Sequence, residues 1–210
     1  MIRVLIADDH PVVRRGVIEI LTDDPEIQVV GEASSIAELM ELARTCPCDV
    51  LLLDVSMPGR GGIEALRDLK HEHPKLRVLV LSVYAEEQYA VRALKAGADG
   101  YLTKGSASDQ LLTVVRRIAG GRRYVSEALA ERLADAIQPG ADTPPHERLS
   151  DREFLVMRAI AAGQTVGGIA RDLNLSVKTI STHRARLLQK MGLRTNAEIM
   201  RYALDRRLLD

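Results

Sequence analysis

VLLLDVSMPG, from Val50 to Gly59, is the stretch that decides the fold of the front half of this chain. Four apolar residues, enough for a buried strand, end on a carboxylate at Asp54, and Pro58 and Gly59 beyond it have the chemistry of a turn. Similar apolar runs lie on either side, at Val4–Ala7, Val29–Val30, Val78–Leu81 and Tyr101–Leu102, with segments of helical period between them. Strands alternating with helical segments imply βαβ units, hence about five parallel strands within residues 1–120. Helix starts are marked by Ser35 with Glu38 and, more loosely, by Ser106 with Asp109. Gly97 and Gly120 stand where helices should stop.

Five polar residues fall at or near the ends of the first, third, fourth and fifth runs: Asp8, Asp9, Asp54, Ser82 and Lys104. In an open parallel α/β sheet the carboxyl ends of the strands share one edge, and ligands bind in the crevice there. Three carboxylates, a hydroxyl and an ammonium are thus expected to converge. Crowded carboxylates favour a divalent cation, and magnesium suits carboxylate, water and phosphate oxygens. Asp54 is then a candidate nucleophile able to form an acyl phosphate, with Lys104 and Ser82 placed to contact the transferred oxygens. Singly, each has a plainer reading: an Asp after a strand usually caps a helix, and a Lys is usually a surface charge. Their joint placement at strand ends favours the site.

The 210 residues suffice for one full domain and a small one, and 46% hydrophobic with 28% charged residues is ordinary for a globular chain. No apolar run approaches the ~20 residues that span a bilayer, and MIRVLIADD has a strand pattern rather than that of a signal peptide. A cytoplasmic protein without membrane contact is expected. Cys46 and Cys48 are too few for a disulfide framework or a four-ligand zinc site. The net charge of zero hides an asymmetry: residues 148–210 hold 12 Lys/Arg and 6 Asp/Glu, leaving 17 and 23 in residues 1–147. A basic tail behind an acidic front suggests a nucleic-acid partner.

A helix is expected over 126–137, and the breakers Pro139, Gly140, Pro144 and Pro145 then place a linker across residues 121–147. Beyond it, caps at Ser150 with Glu153, at Ser176, and at Thr195 with Glu198 mark a small all-helical domain over 148–210. In the helix opened by Ser176, Ile180, Leu187, Leu188 and Met191 share one face, and Lys178, Thr182, Ala185 and Gln189 lie opposite. The second stripe, with Ser181 beside it and Arg184, Arg186 and Lys190 as flanking cations, suits a DNA major groove. A helical bundle with a solvated basic face is the plainer alternative. Ile199, Met200, Ala203 and Leu204 lie on the last helix, where core packing is one reading.

ADDH (Ala7–His10), LLLDVSMPGRGG (Leu51–Gly62), LSVY (Leu81–Tyr84) and GADGYLTK (Gly97–Lys104) together resemble the receiver domain of two-component response regulators. LSDREFLVMRAIAAGQT and IARDLNLSVKTISTHRARLLQKMGL are similar to the LuxR-type helix-turn-helix, and the pairing resembles the NarL/FixJ class. The resemblance implies a flavodoxin-like five-stranded receiver, with Mg²⁺ held by Asp8, Asp9, Asp54 and the backbone carbonyl of Ser56. It implies a sensor histidine kinase that phosphorylates Asp54, Ser82 and Tyr101 as a switch pair beside Lys104, and a homodimer on double-stranded DNA once phosphorylated, with the last helix as its interface in place of core packing. The chain is then a regulator, not an enzyme, although its receiver promotes its own phosphoryl transfer and dephosphorylation.

Four departures stand out: Val83 where alanine is common and able to crowd the phosphoryl group, Gly105 where proline is common, Gly61 where a small polar residue is common, and Gly167–Gly168 in the tail. A helical glycine costs about 1 kcal/mol against alanine, so the first helix of the motif is expected to start late or fray. Two rival functions remain. One is a phosphate-independent DNA-binding regulator whose receiver serves only dimerisation. The other is a magnesium-dependent phosphohydrolase, disfavoured because no Gly-rich phosphate loop and no separate base are present.

Overall fold

The computed structural model describes every residue except 58–60, 84, 85, 128, 132–143, 174, 207 and 210, with backbone alone at 86–88. The expected turn at Pro58 and Gly59 and the greater part of the expected helix over 126–137 lie outside the described residues. Within that span Glu127 and Leu129–Glu131 are helical, and the Ser126 hydroxyl accepts from the Leu129 amide at 3.1 Å. The chain divides into two compact units, residues 1–136 and 137–210.

The first unit is a doubly wound parallel sheet. Strands β1 (Ile2–Ala7), β2 (Ile27–Ala33), β3 (Val50–Asp54), β4 (Arg77–Ser82) and β5 (Gly100–Thr103) run in the order β2-β1-β3-β4-β5. The central strand β3 is buried along its whole length, as a strand covered on both faces must be. Helices α1 (Pro11–Thr22) and α5 (Ala107–Ala119) pack together, and α3 (Gly62–Glu72) packs on both α2 (Ile36–Thr45) and α4 (Glu86–Lys95). One core layer joins Val17 and Leu21 of α1 and Leu111, Val114, Val115 and Ile118 of α5 to Val4, Ile6, Leu52, Leu79 and Leu81 of the sheet. Their three- and four-residue helical spacing and two-residue strand spacing are what one buried face of each requires. The register sets Ala7 beside Leu53, Asp54 beside Leu81 and Ser82 beside Thr103, so the residues ending these strands meet at one edge.

One sequence signal acts differently from expectation. Ser106 does not cap α5: its backbone is already helical (φ −94°, ψ −1°), and its hydroxyl instead lies 2.5 Å from Thr103 Oγ1. Helix α5 does stop at Gly120, as expected, and Gly121 after it takes the left-handed conformation, at φ 82°. The chain then returns to the open side of β5. Tyr124 pairs in parallel with Gly100, its amide donates to Asp99 O at 2.9 Å, and its hydroxyl stands 2.6 Å from Gln110 Oε1.

The amino-terminal end of the sheet is fastened by Asp99, a residue only 4% exposed. Lys70 Nζ and Arg77 Nη1 donate to its carboxylate at 2.7 and 2.8 Å, and the Val78 amide at 3.0 Å. Burial opposes its ionisation, but Lys70, the Val78 amide and Arg77 together hold the carboxyl below the usual range.

The second unit contains a short 3-10 turn (Pro145–Arg148) and helices α6 (Asp151–Ala161), α7 (Val166–Asp172), α8 (Val177–Met191) and α9 (Asn196–Asp205). Capping boxes open α6 at Ser150 with Glu153 and α9 at Thr195 with Glu198. Helix α7 starts at once: the Thr165 hydroxyl accepts from the Gly168 amide at 3.1 Å, so a cap offsets the two glycines. Helix α8 ends in a Schellman arrangement at Gly192 (φ 68°), with Gly192 N donating to Gln189 O and Leu193 N to Leu188 O. Phe154, Met157, Ile160, Ile169, Ile180, Leu187, Ile199 and Ala203 are buried and form the core.

Candidate functional site

At the carboxyl edge of the sheet, Asp8, Asp9, His10 and Asp54 bring ligand atoms within 4.8 Å of one another. Lys104 lies across the cluster, its Nζ 2.7 Å from Asp54 Oδ2 and 2.8 Å from Asp8 Oδ2. The other oxygen of Asp54 accepts from the Ser56 amide at 2.7 Å. Asp54 has no exposed surface. Desolvation pushes its carboxyl above the usual carboxylate range, outweighing Lys104 and the Ser56 amide, and Asp8 adds to the rise. Lys104 is also shifted upward: burial works against its charge, but Asp54 and Asp8 prevail.

His10 was legible only as part of a motif, yet it is the outermost group of the cluster. Its Nδ1 lies 2.9 Å from Asp9 Oδ1, 3.4 Å from Asp8 Oδ1 and 4.0 Å from Asp54 Oδ2, and its side chain is 59% exposed. Asp9 Oδ1 is buried without a hydrogen bond of proper geometry, and so is the Ser56 hydroxyl. An orphaned carboxylate oxygen among two further carboxylates is a donor set that fits a hard divalent cation, whereas an imidazole nitrogen does not.

Ser82 and Tyr101 are both fully buried on neighbouring strands, where Val80 rather than Ser82 is the register partner of Tyr101. Val83, which the sequence suggested could crowd the site, is 62% exposed. At Gly62 an added Cβ would stand 2.4 Å from Val55 Cα, so the start of α3 can approach the acidic strand end only as glycine. Gly105 meets nothing within 4 Å, so the site itself demands no particular side chain there.

In the second unit, Ile180, Leu187, Leu188 and Met191 of α8 are buried, while Lys178, Ser181, Thr182, Ala185, Arg186 and Gln189 are exposed. The hydroxyls of Ser181 and Thr182 donate back to Val177 O and Lys178 O at 2.9 and 3.0 Å. Two of the cations have partners: Lys190 Nζ lies 2.6 Å from the buried Glu153 Oε2, and Arg184 Nε donates to Asn196 Oδ1 at 2.7 Å. On α9, Ile199 and Ala203 are core residues, whereas Met200 and Leu204 are 36% and 65% exposed.

A doubly wound sheet with an acidic carboxyl edge, followed by a helix-turn-helix unit, defines a signal-receiving regulator of transcription. Residues 4–116 match the model of the response regulator receiver domain, and residues 147–203 that of the bacterial regulatory proteins of the luxR family. The chain therefore belongs to the two-component response regulators of the NarL/FixJ class, DNA-binding regulators of transcription. It is 39% identical to the response regulator GacA of Pseudomonas viridiflava over 211 residues, covering 100% of this chain and 99% of the relative. To the response regulator UvrY of Escherichia coli K12 it is 38% identical, covering 97% and 94%. Among solved structures, RcsB of Salmonella enterica serovar Typhimurium, bound to promoter rprA in the presence of phosphomimetic BeF₃⁻, superposes with a TM-score of 0.67. That match has 29% identity and covers 96% of this chain and 97% of RcsB. No helix among the described residues is long and apolar enough to cross a membrane.

Proposed function

We propose that Asp54 accepts a phosphoryl group from a sensor histidine kinase and that this controls binding of the chain to double-stranded DNA in the cytoplasm. The receiver function is assigned to residues 1–120, the linker to 121–147 and DNA binding to 148–210. The observation that carries the reading is Lys104 Nζ set 2.7 Å from Asp54 Oδ2, inside a cluster of three carboxylates. Asp8, Asp9, Asp54 and the Ser56 carbonyl would hold Mg²⁺, which neutralises carboxylate and phosphoryl charge when bound.

The residues of the chain do the rest. One oxygen of Asp54 attacks phosphorus as the donor's bond to phosphorus breaks, giving the acyl phosphate. The Ser56 amide fixes the carboxylate, and Lys104 pairs with the new phosphoryl oxygens. His10, exposed and 4.0 Å from Asp54 Oδ2, stands on the outer side of the cluster. The Ser82 hydroxyl then turns to the phosphoryl group, and this stabilises the inward position that Tyr101 occupies here. Moving such a switch from 1:99 to 99:1 takes about 5.5 kcal/mol of differential stabilisation. Homodimer formation on two half-sites shares that requirement, and the exposed Met200 and Leu204 of α9 are the apolar groups offered to a second copy.

The test is intact mass after incubation with acetyl phosphate, with and without Mg²⁺, for wild type and Asp54→Ala. A Mg²⁺-dependent gain of one phosphoryl group, absent in the variant and accompanied by tighter DNA binding, is expected. Equal DNA binding by both proteins in all conditions would leave a phosphate-independent regulator.

A further inference from the structure

The two cations of α8 that have partners are held by groups of different charge. Lys190 rests on the carboxylate of Glu153, which is buried and cancels its charge locally. Arg184 rests on a neutral amide: its Nε donates to Asn196 Oδ1 at 2.7 Å, across from α8 to the first residue of α9. A neutral acceptor fixes the plane of the guanidinium while leaving its positive charge whole. Among the described residues, Nη1 and Nη2 have no partner, and these are the two groups of the fork that can bind an oxyanion together.

Arg184 is only half-buried and lies beside the exposed stripe of Lys178, Thr182, Ala185 and Gln189 rather than within it. A cation on the flank of a helix in the major groove meets the backbone that borders the groove, whereas the centre of the stripe meets base edges. Asn196 itself is exposed at the start of α9, where the capping box of Thr195 and Glu198 already supplies the helix start. Its side chain is therefore not needed for the cap.

We infer that Asn196 is a positioning residue for DNA binding, holding the Arg184 guanidinium with its charge intact so that its free fork engages a backbone phosphate. The inference rests on α8 as the DNA-facing helix. It assigns a role on the interface to a residue outside that helix.

The experiment is a double-mutant cycle on the full chain, with binding measured by fluorescence anisotropy on duplexes selected from a random library by the wild type. Arg184→Ala is expected to weaken binding about tenfold and to make the slope of log K against log[salt] shallower by about 0.9, one phosphate contact. Asn196→Ala is expected to weaken it about fivefold, by a similar factor on every duplex, with an unchanged unfolding midpoint. In the Arg184→Ala background, Asn196→Ala is expected to change nothing. Asn196→Asp keeps an acceptor but offsets the charge, and a shallower salt slope is expected. If Arg184→Ala weakens binding and Asn196→Ala does not, or costs as much without Arg184 as with it, the positioning role is overturned. A loss confined to duplexes with one particular base overturns the phosphate assignment. If Arg184→Ala has no effect, the DNA-facing placement of Arg184 fails first and the inference with it.

Discussion

Lys104 and Asp54 meet at 2.7 Å in a pocket where the carboxylate has no exposure to solvent. Desolvation still dominates, and Asp54 titrates above the ordinary carboxylate value. A folded-state carboxyl raised in this way costs nothing below about pH 4 and costs progressively more as the pH rises through its own value. Asp54→Asn is therefore expected to be more stable than wild type at neutral pH in the presence of a chelator, with the gap closing toward pH 4. Urea unfolding across that range checks it, and a variant less stable at neutral pH would contradict the balance described.

Asp99 has the opposite sign. Its carboxyl is held below the usual range, so its contribution is complete above about pH 4 and disappears as the pH falls through its lower value. Asp99→Ala leaves Lys70 and Arg77 without their partner at the base of the sheet and is expected to cost about 3–5 kcal/mol. Denaturant unfolding of the receiver unit, followed by the fluorescence of its tyrosines, measures it.

Lys190 and Arg186 should separate stability from DNA affinity. Lys190→Met removes the partner of the buried Glu153 and is expected to destabilise the helical unit by about 2 kcal/mol while barely altering the salt dependence of DNA binding. Arg186, exposed on the same helix, should do the reverse when replaced by Ala, reducing the salt slope by about 0.9. Thermal unfolding and salt-titrated anisotropy on both variants distinguish the two roles.

Gly167 sits inside α7, and a Cβ added there would meet nothing within 4 Å, so alanine should be free of clashes. Gly167→Ala is expected to stabilise the unit by about 0.5–1 kcal/mol through lower unfolded-chain entropy and better helix propensity. At Gly168 the added Cβ would press on Thr165 Oγ1 at 3.3 Å, the capping oxygen itself, and the gain should be smaller. A differential scanning comparison of the two variants reads the difference directly.

Local chemistry was legible in the sequence wherever it depends on neighbours. The caps at Ser35, Ser150, Ser176 and Thr195 all form, because each hydroxyl reaches an amide three residues on. The strand-end placement of Asp8, Asp54, Ser82 and Lys104 was legible because a parallel sheet aligns carboxyl ends whatever the details of packing. Ser106 was misleading, since a cap needs an extended backbone and that residue is already helical. Asp99, Lys70 and Arg77 gave no signal at all: each looks like a surface charge until three separate elements bring them together. Asn196 was invisible for the same reason, as its partner lies in another helix.

The pairing of Tyr124 with Gly100 has a practical side. A bare edge strand offers its free amides and carbonyls to any other chain, and here the residues following α5 occupy that position on β5. A receiver fragment cut at residue 120 would lose this cover and gain a template for sticking to its own copies. Fragments carried past Tyr124 keep that pairing at the start of β5, so a receiver fragment is better ended beyond Tyr124 than at residue 120.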